Sequence, residues 1–297
     1  MIWQDAEPGD DVRQLLLAAQ EFDGRPEIED GQPLPREFRG GRHLRATEGG
    51  TLVGYAHLDT GGDAFGNQIA EAVVHPRHRR LGHGTRLVRA VLDEAAPKLR
   101  IWSHGDHPAA ARIASGFGLT RVRELLKMRL DRDIALPEAV WPAGVTVRTF
   151  VPGRDEEAVV AVNGRAFDWH PEQSRLTVDD VRATEREGWF DAAGFFLAVR
   201  DDSADGDDSA ASADDVIGFH WTKVHPGSVG EVYVVGVDPA AQGGGLGRAL
   251  TLKGLRHLRD QGLRDTILYV ESDNSPAVAV YRKIGFEIAQ TDVAYAR

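Results

Sequence analysis

A glycine-rich turn, with an apolar run before it and a helical pattern after it, is the stretch of this chain best suited to chemistry. The turn reads Gln242-Gly-Gly-Gly-Leu-Gly247, and it follows the apolar run 232–237 and Asp238-Pro239. Leucines at helical spacing follow from Leu246, so a helix begins near Gly245. Backbone N–H groups at a helix N-terminus attract anions, and glycines let a phosphate approach without a Cβ in the way. The turn therefore predicts a phosphate-binding cradle.

Two common phosphate loops do not fit this turn. A Walker A loop ends in Gly-Lys-Ser/Thr, which is absent, and a Rossmann fingerprint needs a different glycine spacing. The spacing Gln242-x-x-Gly245-x-Gly247 resembles the pyrophosphate loop of the GCN5-related N-acetyltransferases. That resemblance implies acetyl-CoA as co-substrate. It also implies a fold in which the fourth and fifth strands are parallel and splay apart, with the pantetheine arm in the gap.

The same stretch occurs twice. Arg79, Gly82 and Gly84 stand 163 positions before Gln242, Gly245 and Gly247, and the strand and helix patterns that follow also match. A period near 160 residues is too long for a solenoid and indicates two copies of one domain. Prolines and charges interrupt the pattern around residues 130–144. We therefore predict an N-terminal acetyltransferase-like domain over 1–135 and a C-terminal catalytic domain over 144–297.

The order of elements defines the fold class. Each half reads as a strand, one or two helices, three strands, a helix, a strand, a helix and a strand. This predicts an α/β fold with a mixed sheet in each of two tandem acetyltransferase domains.

Acyl transfer from a thioester to an amine needs a base for the amine proton, an acid for the leaving thiolate and an N–H that polarises the carbonyl. In the second half Glu231 is the candidate base and Tyr281 the candidate acid. The alternatives are a solvated charge at a strand end and a core aromatic residue. The matching first-half positions are Gln68 and Ala114, neither of which can do this chemistry. The first half is therefore expected to bind acetyl-CoA without catalysing transfer.

Three segments narrow the resemblance. The runs 231–242 and 268–274, together with Tyr281 and the ending Asp292-Val-Ala-Tyr-Ala, are similar to the actinobacterial mycothiol synthase family. The resemblance implies acetyl transfer to the cysteinyl amine of a cysteine–glucosamine–inositol precursor, with Glu231 and Tyr281 as base and acid. Implied acetyl-CoA contacts in the second half are Val235, Gly236, Val237, Gln242, Gly243, Gly244, Gly245, Leu246, Gly247, Arg248, Asn274 and Ala279. Those in the first half are Val73, Val74, Arg79, Arg80, Gly82, Gly84 and Thr85.

The resemblance also implies substrate contacts at Asp30, Glu172, Lys223, Glu231 and Tyr269. A polyhydroxylated ligand needs several convergent polar groups, so Trp169, His170 and His220 are further candidates to line its pocket. His170 fits a surface turn equally well.

Composition excludes several classes of protein. Cysteine is absent from the 297 residues, which excludes disulfides, thiolate metal sites and a cysteine nucleophile. A net charge of −11 argues against a nucleic-acid surface, and no apolar run is long enough for a membrane span. We expect a cytoplasmic monomer that needs no metal. An acetyltransferase for another small amine or a protein N-terminus, and a non-catalytic acyl-CoA-binding module, remain open as alternatives.

Overall fold

The computed structural model describes residues 1–24, 28, 33–35, 38–63, 65–170, 173–200, 216–225 and 227–297. These residues form two compact units. The first consists of Met1–Leu126, Glu271–Asp273 and Gln290–Arg297, and the second of Lys127–Val270 and Asn274–Ala289. No helix in the described ranges combines the length and apolar character that a bilayer span requires.

The described residues of the first unit form a mixed sheet and three α-helices. Its elements are β1 (Ile2–Gln4), α1 (Asp10–Asp23), β2 (Arg42–Glu48), β3 (Thr51–Asp59), β4 (Gln68–Val74), α2 (His83–Glu94), β5 (Leu99–Ser103), α3 (Pro108–Gly116), the start of β6 (Thr120–Asp131) and the end of the last strand, which spans Glu287–Ala296. Strands β1 to β4 pair antiparallel in sequence order, and β4 pairs parallel with β5. The last strand pairs antiparallel with β5 through Val293–Tyr295.

The second unit repeats this order of elements. It contains β7 (Val145–Thr149), α4 (Glu156–Ala166), α5 (Val178–Thr184), β8 (Phe195–Arg200), β9 (Val216–His225), β10 (Val229–Val237), α6 (Leu246–Asp260), β11 (Asp265–Glu271), α7 (Ser275–Ile284) and the start of the last strand, β12 (Glu287–Ala296). Strands β7 to β10 pair antiparallel, and β10 pairs parallel with β11. The predicted mixed α/β fold is confirmed.

Apolar burial fixes the helices on each sheet. In α6 the leucines that recur at helical spacing are all buried, and Leu246 and Leu250 pack with Phe196 and Ala198 of β8. In the first unit Leu87 and Val91 of α2 join a buried cluster that includes residues of β2 to β5. Each such leucine contributes about 1.5–3 kcal/mol relative to an exposed one, so the helix that follows each glycine turn is held firmly in register.

A gap opens in each sheet between the two parallel strands. β4 pairs with β5 only from Gln68 to Glu71, while its other edge stays paired with β3 as far as Val74. β10 pairs with β11 only from Val229 to Val232, while its other edge stays paired with β9 as far as Val237. The last residues of both strands therefore turn one backbone edge towards an opening in the sheet.

Candidate active site

The glycine turn of the second unit is built by side chains that bond to the backbone. Asp238 accepts the N–H of Ala240 at 2.9 Å, and the Gln242 amide donates to the Val237 carbonyl at 3.1 Å. Gly245 is the N-cap of α6 with φ +84°, a left-handed conformation that costs other residues energy. A Cβ built there meets nothing within 4 Å, so the space in front of the helix N-terminus is open. This arrangement fits a pyrophosphate group.

The first unit contains the same turn with different side chains. His75 accepts the N–H of Arg77 at 3.2 Å, and Gly82 is the N-cap of α2 with φ +80°. Arg79 Nε donates to the Val74 carbonyl at 3.1 Å, which is the bond that the Gln242 amide makes to Val237. Both copies therefore have a side chain that bonds to the carbonyl of the last strand residue, although it is Arg79 in one copy and Gln242 in the other.

The rest of the Arg79 side chain points at a helix. Its two terminal nitrogens bond to the Asp23 carboxylate at 2.8 and 2.5 Å, and its guanidinium lies 5.2 Å from the Phe22 ring centroid. Because this fork is already paired, Arg79 holds α1 against the turn in addition to shaping the cradle. The sequence did not indicate this bond, since Asp23 lies 56 positions earlier.

All seven predicted acetyl-CoA contacts of the first copy line one cavity of about 1310 Å³. They are Val73, Val74, Arg79, Arg80, Gly82, Gly84 and Thr85. The rest of the lining includes Trp102, the last residue of β5 that pairs with β4, and His104 just beyond that strand. Ile113 of α3 and Tyr295 of the last strand also line it. The cavity is thus a gap between two parallel strands that ends at a helix N-terminus, which suits a long ligand with a phosphate group.

The acetyl-CoA contacts predicted for the second copy lie along β10, the turn, the start of α6 and α7. Gly236 must lack a side chain, because a Cβ there would lie 2.5 Å from the Phe219 ring. Leu246 is a core residue, so only its backbone N–H can face the cradle. Asn274 is the N-cap of α7 and accepts the N–H of Ala277 at 3.3 Å, while Ala279 is exposed on that helix.

Glu231 lies on β10 just before the strand leaves β11. The residue is only 6% exposed, so the interpretation of Glu231 as a solvated charge is wrong. Oε2 of Glu231 lies 2.5 Å from Nε2 of His225. Lys223, directly opposite Glu231 on β9, places its Nζ 4.9 Å from the centroid of Trp189 and 5.7 Å from that of Tyr233. No sequence motif singles out His225, although alternation along β9 puts it on the same face as Lys223.

Tyr281 lies in α7 and is half-buried. Burial raises the pKa of its phenol to about 12. Its ring packs edge-on against Phe286 at a centroid distance of 5.8 Å. A phenol with this pKa stays protonated at neutral pH, so it can give a proton to a leaving group.

The remaining substrate candidates are distributed as follows. Tyr269 lies on β11 with Lys127 Nζ 5.8 Å from its ring centroid. Trp169 is 46% exposed and packs against His170, whose Nδ1 accepts the N–H of Gln173 at 3.1 Å. Asp30 and Glu172 lie outside the described residues.

His220 lies in the core, so the expectation that it lines the substrate pocket is wrong. It is fully buried, and Nδ1 donates to the Leu250 carbonyl at 2.8 Å. Burial lowers its pKa to about 4, so the ring is neutral. A Cβ at Gly254 of α6 would lie 2.1 Å from this ring, which explains the glycine in the middle of that helix.

A buried carboxylate–histidine–carboxylate network borders the first-unit cavity. Nε2 of His104 lies 2.9 Å from Glu71 Oε2, and Nδ1 lies 3.0 Å from Asp292 Oδ2. Asp292 also accepts the N–H of Gly105 at 2.8 Å and the Gln290 amide at 2.7 Å. Each ring nitrogen of His104 therefore lies within hydrogen-bond distance of a carboxylate, which fixes the orientation of the ring.

In the first unit, the positions that correspond to Glu231 and Tyr281 are occupied by Gln68 and Ala114, which stabilise the fold. Gln68 accepts the N–H of Ala96 at 2.7 Å, and Ala114 is buried in the core. Among the residues described, no group of three or more histidine, aspartate or glutamate side chains is arranged to hold a metal ion.

Comparison with known proteins agrees with this geometry. A model of the acetyltransferase (GNAT) family matches residues 10–118 and 164–286. A mycothiol acetyltransferase from Saccharomonospora viridis is 61% identical, over 99% of this chain and 96% of that protein, and one from Amycolatopsis mediterranei is 57% identical over the same shares. A crystal structure of a GCN5-related N-acetyltransferase from Sphaerobacter thermophilus covers 99% of this chain and 94% of its own, with a TM-score of 0.72 at 24% identity.

The crystal structure supports the fold alone at that identity, whereas the two relatives confirm the resemblance on which the sequence analysis relied. The two matched ranges account for most of the chain and agree with an internal duplication. The chain belongs to the GNAT family of acetyl-CoA-dependent acetyltransferases and, within it, to the mycothiol acetyltransferases.

Proposed function

We propose that this enzyme transfers the acetyl group of acetyl-CoA to the cysteinyl amine of the cysteine–glucosamine–inositol precursor of mycothiol, and that the second copy does the chemistry. The observation that carries the proposal is the buried carboxylate of Glu231 on β10. The same strand goes on to open away from β11 and leads into the glycine turn. Membership of the mycothiol acetyltransferases supports the substrate.

In the proposed reaction, two side chains handle the protons. Glu231 takes a proton from the amine as the nitrogen–carbon bond forms. The carbon–sulfur bond then breaks, and Tyr281 gives its phenolic proton to the leaving thiolate. Tyr281, whose pKa burial raises to about 12, is protonated at neutral pH and so has a proton to give when the thiolate forms.

The open edge of β10 holds the thioester in this scheme. Backbone groups of Val235, Gly236 and Val237 bond the pantetheine arm and polarise the acetyl carbonyl. The pyrophosphate and its surroundings are held by Gln242, Gly243, Gly244, Gly245, Leu246, Gly247, Arg248, Asn274 and Ala279. Backbone N–H groups at the start of α6 and its dipole supply the attraction for the phosphate charge.

The precursor is held by Glu231 itself and by Asp30, Glu172, Lys223 and Tyr269. Lys223 and Glu231 form a cross-strand pair, so a ligand that meets one also meets the other. The enzyme acts as a monomer in this scheme, because two covalently joined copies supply what a dimer of single domains would.

The first copy, within the predicted domain 1–135, holds acetyl-CoA without using it. The cavity along β4 and α2 supports binding. Gln68 and Ala114 stand where the second copy has Glu231 and Tyr281, and neither can supply the base or the acid. Chemistry is thereby confined to the predicted domain 144–297.

The test is a substrate panel. The purified chain is incubated with acetyl-CoA and the cysteine–glucosamine–inositol precursor, or with an aminoglycoside, a polyamine or a peptide N-terminus. We expect rapid N-acetylation of the cysteinyl amine, detected by mass spectrometry, and slow or no transfer to the others. Preference for another amine would overturn the substrate assignment, and acetyl-CoA binding without transfer would indicate a binding module.

A further inference from the structure

The side chain that holds Glu231 comes from the neighbouring strand. His225 is the last residue of β9 and lies opposite Val229, two positions from Glu231 along β10. Residues at such diagonal positions on one face of an antiparallel pair are within reach of each other. The 2.5 Å contact between His225 Nε2 and Glu231 Oε2 is the result.

Lys223 would be the expected partner of Glu231, since the two are directly opposite in register. Its ammonium group instead lies over the rings of Trp189 and Tyr233. An ammonium over aromatic faces is stabilised there, so its charge remains available near the site without clamping the carboxylate. The carboxylate of Glu231 therefore bonds to the imidazole of His225 rather than to Lys223.

Donor and acceptor in the bond between His225 and Glu231 follow from the ionised state of the carboxylate. An ionised carboxylate has no proton to donate, so His225 donates from Nε2. A glutamate side chain rotates about three bonds, and a bond to Oε2 fixes the carboxylate in one orientation. Oε1 then becomes the oxygen that takes the amine proton. The histidine itself does not touch the substrate in this arrangement.

We propose that His225 is a positioning residue that orients Glu231 for proton abstraction from the substrate amine. The inference rests on the proposed function, because it gives His225 a role only if Glu231 is the base. Small errors in the placement of a catalytic group lower rates by as much as ~100-fold. Loss of the Nε2–H donor should therefore appear in kcat and leave substrate binding largely intact.

The test uses two replacements at the same position. His225→Phe removes the donor and is expected to lower kcat by about 10- to 100-fold, with KM for both substrates within about twofold. His225→Gln keeps an N–H near the place of Nε2 and should restore most of kcat. A kcat that is unchanged in His225→Phe, or a KM that rises as much as kcat falls, would overturn the proposal.

A double variant separates positioning from general damage to the fold. In Glu231→Gln there is no carboxylate to orient, so adding His225→Phe should cost little further activity. If the two losses multiply instead, His225 acts independently of Glu231, and the inference is wrong. If Glu231→Gln alone leaves kcat unchanged, the proposed base is wrong, and that failure is distinct from failure of the positioning role.

The matched control is another histidine of the same unit that lies near a carboxylate. His257 of α6 places Nε2 3.4 Å from Asp191 Oδ2, and its ring packs against Phe196 of β8. His257→Gln should leave kcat and both KM values unchanged. A loss of activity there equal to that in His225→Phe would mean that any histidine–carboxylate contact of this unit affects the rate, which would contradict a specific role for His225.

Discussion

The role of the turn before α6 in binding pyrophosphate can be tested with two glycines that have the same backbone conformation but lie at opposite ends of that helix. Gly245 has φ +84° and Gly262, just beyond the other end of α6, has φ +77°. A Cβ at either position meets nothing within 4 Å, so alanine adds strain without a clash. The left-handed region costs an alanine roughly 1–2 kcal/mol, and both variants should lose about that much free energy of unfolding.

Only Gly245→Ala should also affect the cofactor. A methyl group at the helix N-terminus keeps the phosphate from the backbone N–H groups, and a hydrogen bond to a charged group contributes roughly 1.5–3 kcal/mol. Since about 1.4 kcal/mol is a factor of ten, KM for acetyl-CoA should rise by about 10- to 100-fold. Gly262→Ala should leave that KM unchanged.

The assay pairs steady-state kinetics with urea unfolding of the two variants. KM is the appropriate quantity because, in the proposed scheme, the first copy binds acetyl-CoA without contributing to turnover. Equal KM values in the two variants, at equal loss of stability, would refute the assignment of the Gly245 turn as the pyrophosphate cradle.

Three further predictions concern single residues. Tyr281→Phe should lower kcat by about 10²- to 10⁴-fold with little change in acetyl-CoA affinity, and a kcat within twofold of native would show that Tyr281 is not the acid. Because the pKa of this phenol is raised to about 12, the pH–rate profile of the native enzyme should show no loss from its ionisation below about pH 10. Burial lowers the pKa of His220 to about 4, so between pH 6.5 and 4 the unfolded chain binds a proton that the folded protein does not, and the free energy of unfolding should fall by about 3 kcal/mol through that window. Urea unfolding at pH 7.5 and 5 should show this fall in the native protein and a smaller one in His220→Gln; equal falls would contradict it. Asp292→Asn removes a carboxylate that is 2% exposed and bonded to His104, and should lower the free energy of unfolding by about 3 kcal/mol. An unchanged midpoint of urea unfolding would show that the bond between Asp292 and His104 does not stabilise the fold.

The sequence predicts most of the cradle because its determinants are local. Asp238-Pro239, Gln242 and Gly245 specify a turn and a helix start through contacts within eight residues, and the duplication repeats them. Helix α6 is likewise predictable, since its leucines follow one face.

The features that the sequence does not reveal depend on residues far apart in the chain. Nothing near Asp292 indicates that it bonds to His104, 188 positions earlier, or that Val293–Tyr295 pair with β5 of the first unit. The pairing of Arg79 with Asp23 is hidden for the same reason. The contact between His225 and Glu231 is close in sequence, but it depends on the register of β9 and β10, which the turn between them sets.

The most direct test of the account is the pH dependence of kcat for native enzyme and Glu231→Gln. Because the precursor and CoA both carry thiols, the N-acetylated product is followed by mass spectrometry. Glutamine cannot take a proton, so the variant should lose about 10²- to 10⁴-fold, most severely at the acidic end of the range, where most of the amine is protonated. A variant with native kcat and an unaltered pH profile would show that the buried carboxylate on β10 is not the base.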